Sequence, residues 1–525
     1  MNGRTYAEDN DICQAWADHF ESTFKTDRTL LNPEREQSMK QTIADIRNVF
    51  RAVSDNITEF EYDEVYDVCK KLKNNKSTGF DKVSYEHVKY AGKQLQKHLC
   101  ALFNLIIQNC YIPVDWKSSV IIPLFKGGNK DKTDPNSFRG ISLTSCISKI
   151  FEKILVRTSF RTSSTKLFSR TSSTKLSASD TNGLSEIVMQ FTHASFTMQE
   201  VIRHYIERNS KVIVVLMDSM KAFDSLWHDA LLLKLKEYGV CGKFWLLIDE
   251  MYRGMKSSIL FNNKLSRWFQ LQRGVRQGGV LSAVLYLAFI NDLLIELNKT
   301  SYGTILYDVR VACSVQADDI ALMSPTTQGM QTLINICQLF SERWAFKFSP
   351  SKSHVLLYGK CQRNTIDRFF LYGSEIPIVK FTKHVGILIE SSFNSMEQTM
   401  NACHMLRATT ISIMNSGVHP AILNTSTCLK IVNQLAYTRA LYGCELWNNL
   451  TKSELLLLER AHRFVCKVVQ GLPNRSRSDK CTSLLGWLCI ECYIDKCKLL
   501  FFGRLCRLNS NSPTKADNDG QTARV

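Results

Sequence analysis

The chain of 525 residues contains no apolar run long enough to cross a bilayer. Its longest nearly unbroken run, Val280 to Ile290, is well short of the roughly 20 residues a spanning helix needs. The first ten residues lack the hydrophobic core of a secretory signal. These absences predict a soluble intracellular protein, nuclear or cytoplasmic, with no membrane partner. A second Cys or His pair beside Cys489, Cys492 and Cys497 is also missing, so that cluster reads as packed helix rather than as a zinc site. The 18 cysteines are spread from Cys13 to Cys506 and read as reduced, mostly buried thiols. Acidic residues are in deficit, 49 against 66 basic ones, and the net charge of +17 points first to nucleic acid as a partner. With 44% hydrophobic residues, the chain can fill two to four cores.

The most informative feature is a pair of adjacent carboxylates, Asp318 and Asp319, which interrupts two short apolar strands between Val311 and Met323. Adjacent carboxylates repel, a cost usually tolerated where a divalent cation neutralises them. Asp218 ends the apolar run Val212 to Met217 in the same way. Antiparallel strands would bring all three to one edge, supplying the hard oxygen ligands that two-metal nucleotidyl transfer needs. Taken alone, Asp-Asp in a turn is more often an ordinary solvated turn.

Along the chain, residues 1–57 predict an N-terminal helical extension. Residues 58–210 mix helices with a strand at Val120 to Phe125 and the polar loop Lys126 to Asp131. The heptapeptide Arg-Thr-Ser-Ser-Thr-Lys-Leu occurs at 161–167 and again at 170–176, and the Ser/Thr-rich stretch 157–182 around it reads as a flexible insertion. Helix and strand alternate over 211–395, helical periods dominate 396–508, and 509–525 is a polar tail. The class expected is α+β.

The order of motifs is more specific than any one of them. Asp218-Ser-Met-Lys-Ala-Phe-Asp224, Gly274-Val-Arg-Gln-Gly-Gly-Val-Leu-Ser282, Gln316-Ala-Asp-Asp319 and Phe348-Ser-Pro-Ser-Lys352 resemble the palm motifs of reverse transcriptases, specifically the non-long-terminal-repeat (LINE-like, jockey-type) retrotransposon branch. Asn75 to Asp81, Trp116 to Pro123 and Phe138 to Thr144 look like that family's fingers. Ala440 to Trp447 and Ser483 to Trp487 resemble its thumb region.

The resemblance implies a right-hand polymerase, with fingers over 58–210, a ferredoxin-like palm sheet over 211–395 and a helical thumb over 396–508. It implies that Asp218 and Asp318 are the principal ligands of two Mg2+ ions, with Mn2+ a possible substitute and Asp319 assisting. Phe223 would be the steric gate that excludes a 2′-hydroxyl. Gly278 and Gly279 would let backbone approach template and nucleotide, with Arg276 and Gln277 as donors beside them. Lys126 and Arg139 would neutralise the triphosphate, and Lys352 would protonate the leaving pyrophosphate. The implied partners are an RNA template, a DNA primer and deoxynucleoside triphosphates.

Four positions depart from the family pattern. Gln316 stands where an aromatic is usual, the segment Val188 to Ser195 has lost a glycine, Ala283 replaces proline and Ser349 replaces asparagine. No nuclease domain fits in the sequence, so a nick would come from a missing part of a longer polyprotein or from another protein. The alternatives are a catalytically impaired nucleic-acid-binding remnant and an RNA-synthesising palm polymerase; Phe223 argues against the second.

Overall fold

A computed structural model describes residues 8–26, 28–53, 58–128, 130–167, 191–316, 318–359, 367–392, 395–447 and 450–507. The second copy of the duplicated heptapeptide, the segment around Gln190 and the polar tail lie outside the described residues. The backbone of the first copy does not loop: it prolongs the helix Cys146–Leu167. Ser and Thr carry only a modest helical penalty, and the turns before them are anchored by buried Ile150, Phe151, Ile154 and Leu155.

The chain forms two compact units. One comprises Met1–Thr181, Ser219–Lys299 and Asn335–Ser349; the other comprises Asn182–Asp218, Thr300–Ile334 and Pro350–Val525. This division cuts across the linear boundaries at 58, 211 and 396, because strand partners are non-local. Seven strands position the candidate site residues: β1 (Ser118–Phe125), β2 (Phe138–Leu143), β3 (Val212–Asp218), β4 (Lys256–Phe261), β5 (Cys313–Gln316), β6 (Asp319–Ser324) and β7 (His354–Tyr358).

In the first unit β1 pairs antiparallel with β2 and parallel with β4. The helix Asp9–Phe24 buries Cys13, Trp16, Ala17, Phe20 and Phe24, a stripe at helical spacing. Trp16 meets Phe138 of β2 edge-on at 4.8 Å between ring centroids. A second N-terminal helix, Pro33–Ala52, is capped by Asn32 and pinned where Arg47 contacts Asp249 at 2.7 Å. The apolar run at Val280 continues as the helix Val280–Lys299, twenty residues long and apolar enough to cross a membrane, a correction to its reading as too short. Most of it is buried inside the unit. Glu152 caps its start, accepting from the Val280 and Leu281 amides at 2.8 and 3.1 Å.

In the second unit four antiparallel strands follow the order β7-β3-β6-β5. With the helix Thr327–Arg343 between β6 and β7, this strand order is that of a split β-α-β sheet. Met198, Val201 and Ile202 of the helix Phe191–Glu207 pack on Val212, Val214, Ala321 and Leu356. From Met396 helices prevail, and Met396–Asn415, Lys452–Val469 and Ile490–Leu505 share one apolar core. Thr451 and Glu454 form a reciprocal capping box at the start of Lys452–Val469. Cys489 and Cys492 lie at the exposed start of the last helix with sulfurs 3.2 Å apart, whereas Cys497 hydrogen-bonds Cys444.

Candidate active site

The expected site residues fall in both units, and each group stands within its own unit. In the second unit β3 is apolar at every position from Val212 to Met217, because alternate residues on both faces are buried. The run ends at Asp218, and its ladder with β6 ends on the pair Asp218–Asp319, with Met217–Ile320 next inward. Directly opposed residues project to the same face, so two like charges meet, an arrangement that destabilises a sheet unless it is neutralised.

Asp318 lies in the two-residue connection between Gln316 and Asp319, which are themselves paired. All three aspartates are partly exposed, while Gln316 is 7% exposed. The Asp218 amide donates to Ser353 Oγ at 3.1 Å. Since β7 runs antiparallel to β3 from the pair His354–Leu216, exposed Lys352 in the preceding turn stands beside the Asp218 end. Among the described residues no three His, Cys, Asp or Glu side chains are grouped so as to hold a metal ion. Backbone register, not side-chain closure, brings the aspartates to one edge. Carboxylate oxygens are hard donors of the kind a divalent cation takes.

In the first unit, Lys126 follows β1 directly and Arg139 lies on β2, opposite Leu124; both are exposed at the end of that ladder closed by the connection from β1 to β2. Lys126 Nζ donates to the Asn136 carbonyl at 2.6 Å. Phe223 sits on the short helix Ala222–Ser225, half-buried, its ring stacked on Tyr286 with centroids 4.9 Å apart. The Val275 amide donates to the Phe223 carbonyl at 2.7 Å. Gly274, at φ +87°, approaches so closely that an added Cβ would lie 2.7 Å from the Asp224 carbonyl.

Gly278 is exposed at φ +120°, with Gly279 leading into the helix Val280–Lys299. Here adjacent residues part ways. Gln277 donates its side-chain amide to Asp224 Oδ1 at 3.1 Å and its backbone carbonyl accepts from the Ser142 amide at 2.9 Å. Arg276, expected to face the nucleotide, instead turns inward: it is 7% exposed and donates to the Trp116 carbonyl at 2.8 Å. Burial lowers its pKa, and the field of Glu152 offsets part of that cost.

Asp224 closes the motif that begins at Asp218, yet its sequence context assigns it no role. Burial pushes its carboxyl up to about 6, against the opposing pull of Lys221, the Gln277 hydrogen bond and Lys126. The Lys221 amine reaches back to Thr23 Oγ1 at 2.9 Å. His19, on the same N-terminal helix, is lowered to about 4 by burial and by Lys221 and Lys126, with Asp134 opposing. Lys221 thus links this motif to the N-terminal helix, which no local pattern in that helix signals.

A mixed α+β chain with a split β-α-β sheet and carboxylates gathered at one sheet end is compatible with a polymerase palm. Residues 129–399 match the family model for reverse transcriptase (RNA-dependent DNA polymerase), and the chain belongs to that family. It is 23% identical over 425 residues to a probable RNA-directed DNA polymerase from transposon X-element of Drosophila melanogaster, covering 79% of this chain and 44% of that protein. It is 24% identical over 487 residues to the RNA-directed DNA polymerase from mobile element jockey of Drosophila funebris, covering 89% of this chain and 50% of the relative. A third relative is the Pol polyprotein from retrotransposable element R2 of Nasonia vitripennis, 23% identical over 75% of this chain and 36% of its own length. The resemblance to the non-long-terminal-repeat branch is borne out. The chain spans half or less of the length of these relatives.

Proposed function

We propose that the chain is an RNA-directed DNA polymerase of a non-long-terminal-repeat retrotransposon, extending a DNA primer on an RNA template with deoxynucleoside triphosphates. The observation that carries this reading is the register that opposes Asp319 to Asp218, with Asp318 in the adjoining turn. Two divalent cations held by Asp218, Asp318 and Asp319 would supply the charge neutralisation that activates a primer 3′-hydroxyl and steadies a triphosphate. The protein's own part is positioning. Lys126 and Arg139 bind the triphosphate, Phe223 packed on Tyr286 lies against the sugar, and Gln277 with Gly278 and Gly279 lines the nucleotide and template. Lys352 delivers a proton to the departing pyrophosphate. In this reading residues 58–210 serve as fingers, 211–395 as the palm and the helices after Met396 as thumb.

Primer extension on an RNA template, run with deoxyribonucleotides and with ribonucleotides, tests it. Wild-type protein is expected to incorporate deoxyribonucleotides, and Asp318→Asn to abolish synthesis while the far-ultraviolet circular dichroism stays unchanged. Salt-sensitive binding without synthesis would identify the impaired remnant. Preference for ribonucleotides would identify an RNA-synthesising palm.

A further inference from the structure

We propose that Asp224 is a positioning residue that sets which way the Gln277 side-chain amide faces, and thereby tunes nucleotide binding. The inference rests on the polymerase reading for the identity of the ligand. Four observations support it. Asp224 Oδ1 accepts from Gln277 Nε2 at 3.1 Å. The Gln277 carbonyl is held separately by the Ser142 amide at 2.9 Å, so the backbone of the glycine loop is tied to β2 independently of the side chain. Gly274 permits backbone contact with Asp224 that a side chain would block. Lys221 and Lys126 lie within its electrostatic reach.

An ionised carboxylate accepts hydrogen bonds and cannot donate them. Facing one, Gln277 must turn its NH2 group toward Asp224, which leaves its carbonyl oxygen as an acceptor for a hydroxyl on the nucleotide. Protonated Asp224 would donate instead, the amide would flip, and the acceptor would be lost. The charged groups that act on Asp224 are Lys221, at the start of its own short helix, and Lys126 after β1, and both favour the ionised form.

The probe is a fluorescent deoxynucleoside triphosphate analogue bound to the full chain with Mg2+ and no primer, followed from pH 5 to 8. The wild type is expected to lose affinity as pH falls through about 6. Asp224→Asn allows both amide orientations, so it is expected to weaken binding about twofold and to remove this pH dependence. Gln277→Ala, which removes the acceptor outright, is expected to weaken binding more, and the double variant to be no worse than Gln277→Ala. In extension assays the loss falls on KM for the nucleotide, with kcat within about threefold. Asp224→Glu is expected to restore part of the pH dependence.

Unchanged affinity in a folded Asp224→Asn, or full additivity with Gln277→Ala, would overturn the proposal. So would failure of folded wild-type protein to bind the analogue. Asp224-dependent binding by a protein that never extends a primer would uphold the proposal and defeat the polymerase reading.

Discussion

The sheets of the two units place polarity in opposite ways. In the first unit hydroxyls sit inside the ladder: Ser119 and Ser257 face each other across β1 and β4 at 2.6 Å, and Ser258 donates to the Ser266 carbonyl at 2.8 Å. The hydroxyls in both contacts are satisfied by the neighbouring segment, so the sheet tolerates polar groups where they come in pairs. In the second unit β3 and β6 oppose apolar residues from Met217–Ile320 to Val214–Met323, and a charged pair, Asp218 with Asp319, stands where the ladder stops. One sheet uses its hydroxyls to hold itself together. The other carries its opposed carboxylates at one end, where like charges meet.

The contrast breaks first at the carboxylate end. Asp218→Asn is expected to lower primer extension by at least about a thousandfold while leaving thermal stability unchanged or slightly raised, since it removes an opposed like charge. Calorimetry alongside extension rates checks both halves; a large drop in melting temperature would make Asp218 a structural residue. Leu322, fully buried within β6, should behave in the reverse sense. Leu322→Ala is expected to cost about 2–5 kcal/mol in a chemical denaturation curve.

A pH titration sharpens the same point for buried ionisable groups. His19, His193, His228 and His384 are all lowered to about 4, chiefly by burial. Their neutral rings contribute stability that is fully present above the unfolded value of about 6.5 and lost as pH falls toward 4. Melting temperature should therefore fall across that window, and a flat profile would refute the assignment. The smallest effect concerns the serine pair. Ser119→Ala or Ser257→Ala alone should cost about 1–2 kcal/mol by stranding the partner hydroxyl, whereas the double variant should come back near wild type.

Much of this is legible along the chain. A charged pair between two apolar runs predicts the β5–β6 hairpin, and an apolar run closed by Asp218 predicts β3, because alternation and interruption are local signals. The helical region after Met396 announces itself by period. Arg276 misleads because its motif places a cation beside a glycine loop, and nothing local says that Trp116 and Glu152 lie behind it. Asp224 passes as one more polar residue in a motif, since its raised pKa arises from burial by groups distant in sequence. The helix Val280–Lys299 reads as too short because its apolar face continues past the unbroken run, and only packing reveals how much of it is covered.

The amino-acid sequence alone determined the apolar run closed by Asp218, the interruption at Asp318 and Asp319, and the family to which they belong, since each depends on residue order within a short window. The tertiary structure decided that Asp319, and not its neighbour, stands opposite Asp218, and that Gln277 meets Asp224 while Arg276 turns away. Register and burial are set by hydrogen bonds between segments up to a hundred or more residues apart, and no local pattern carries that information.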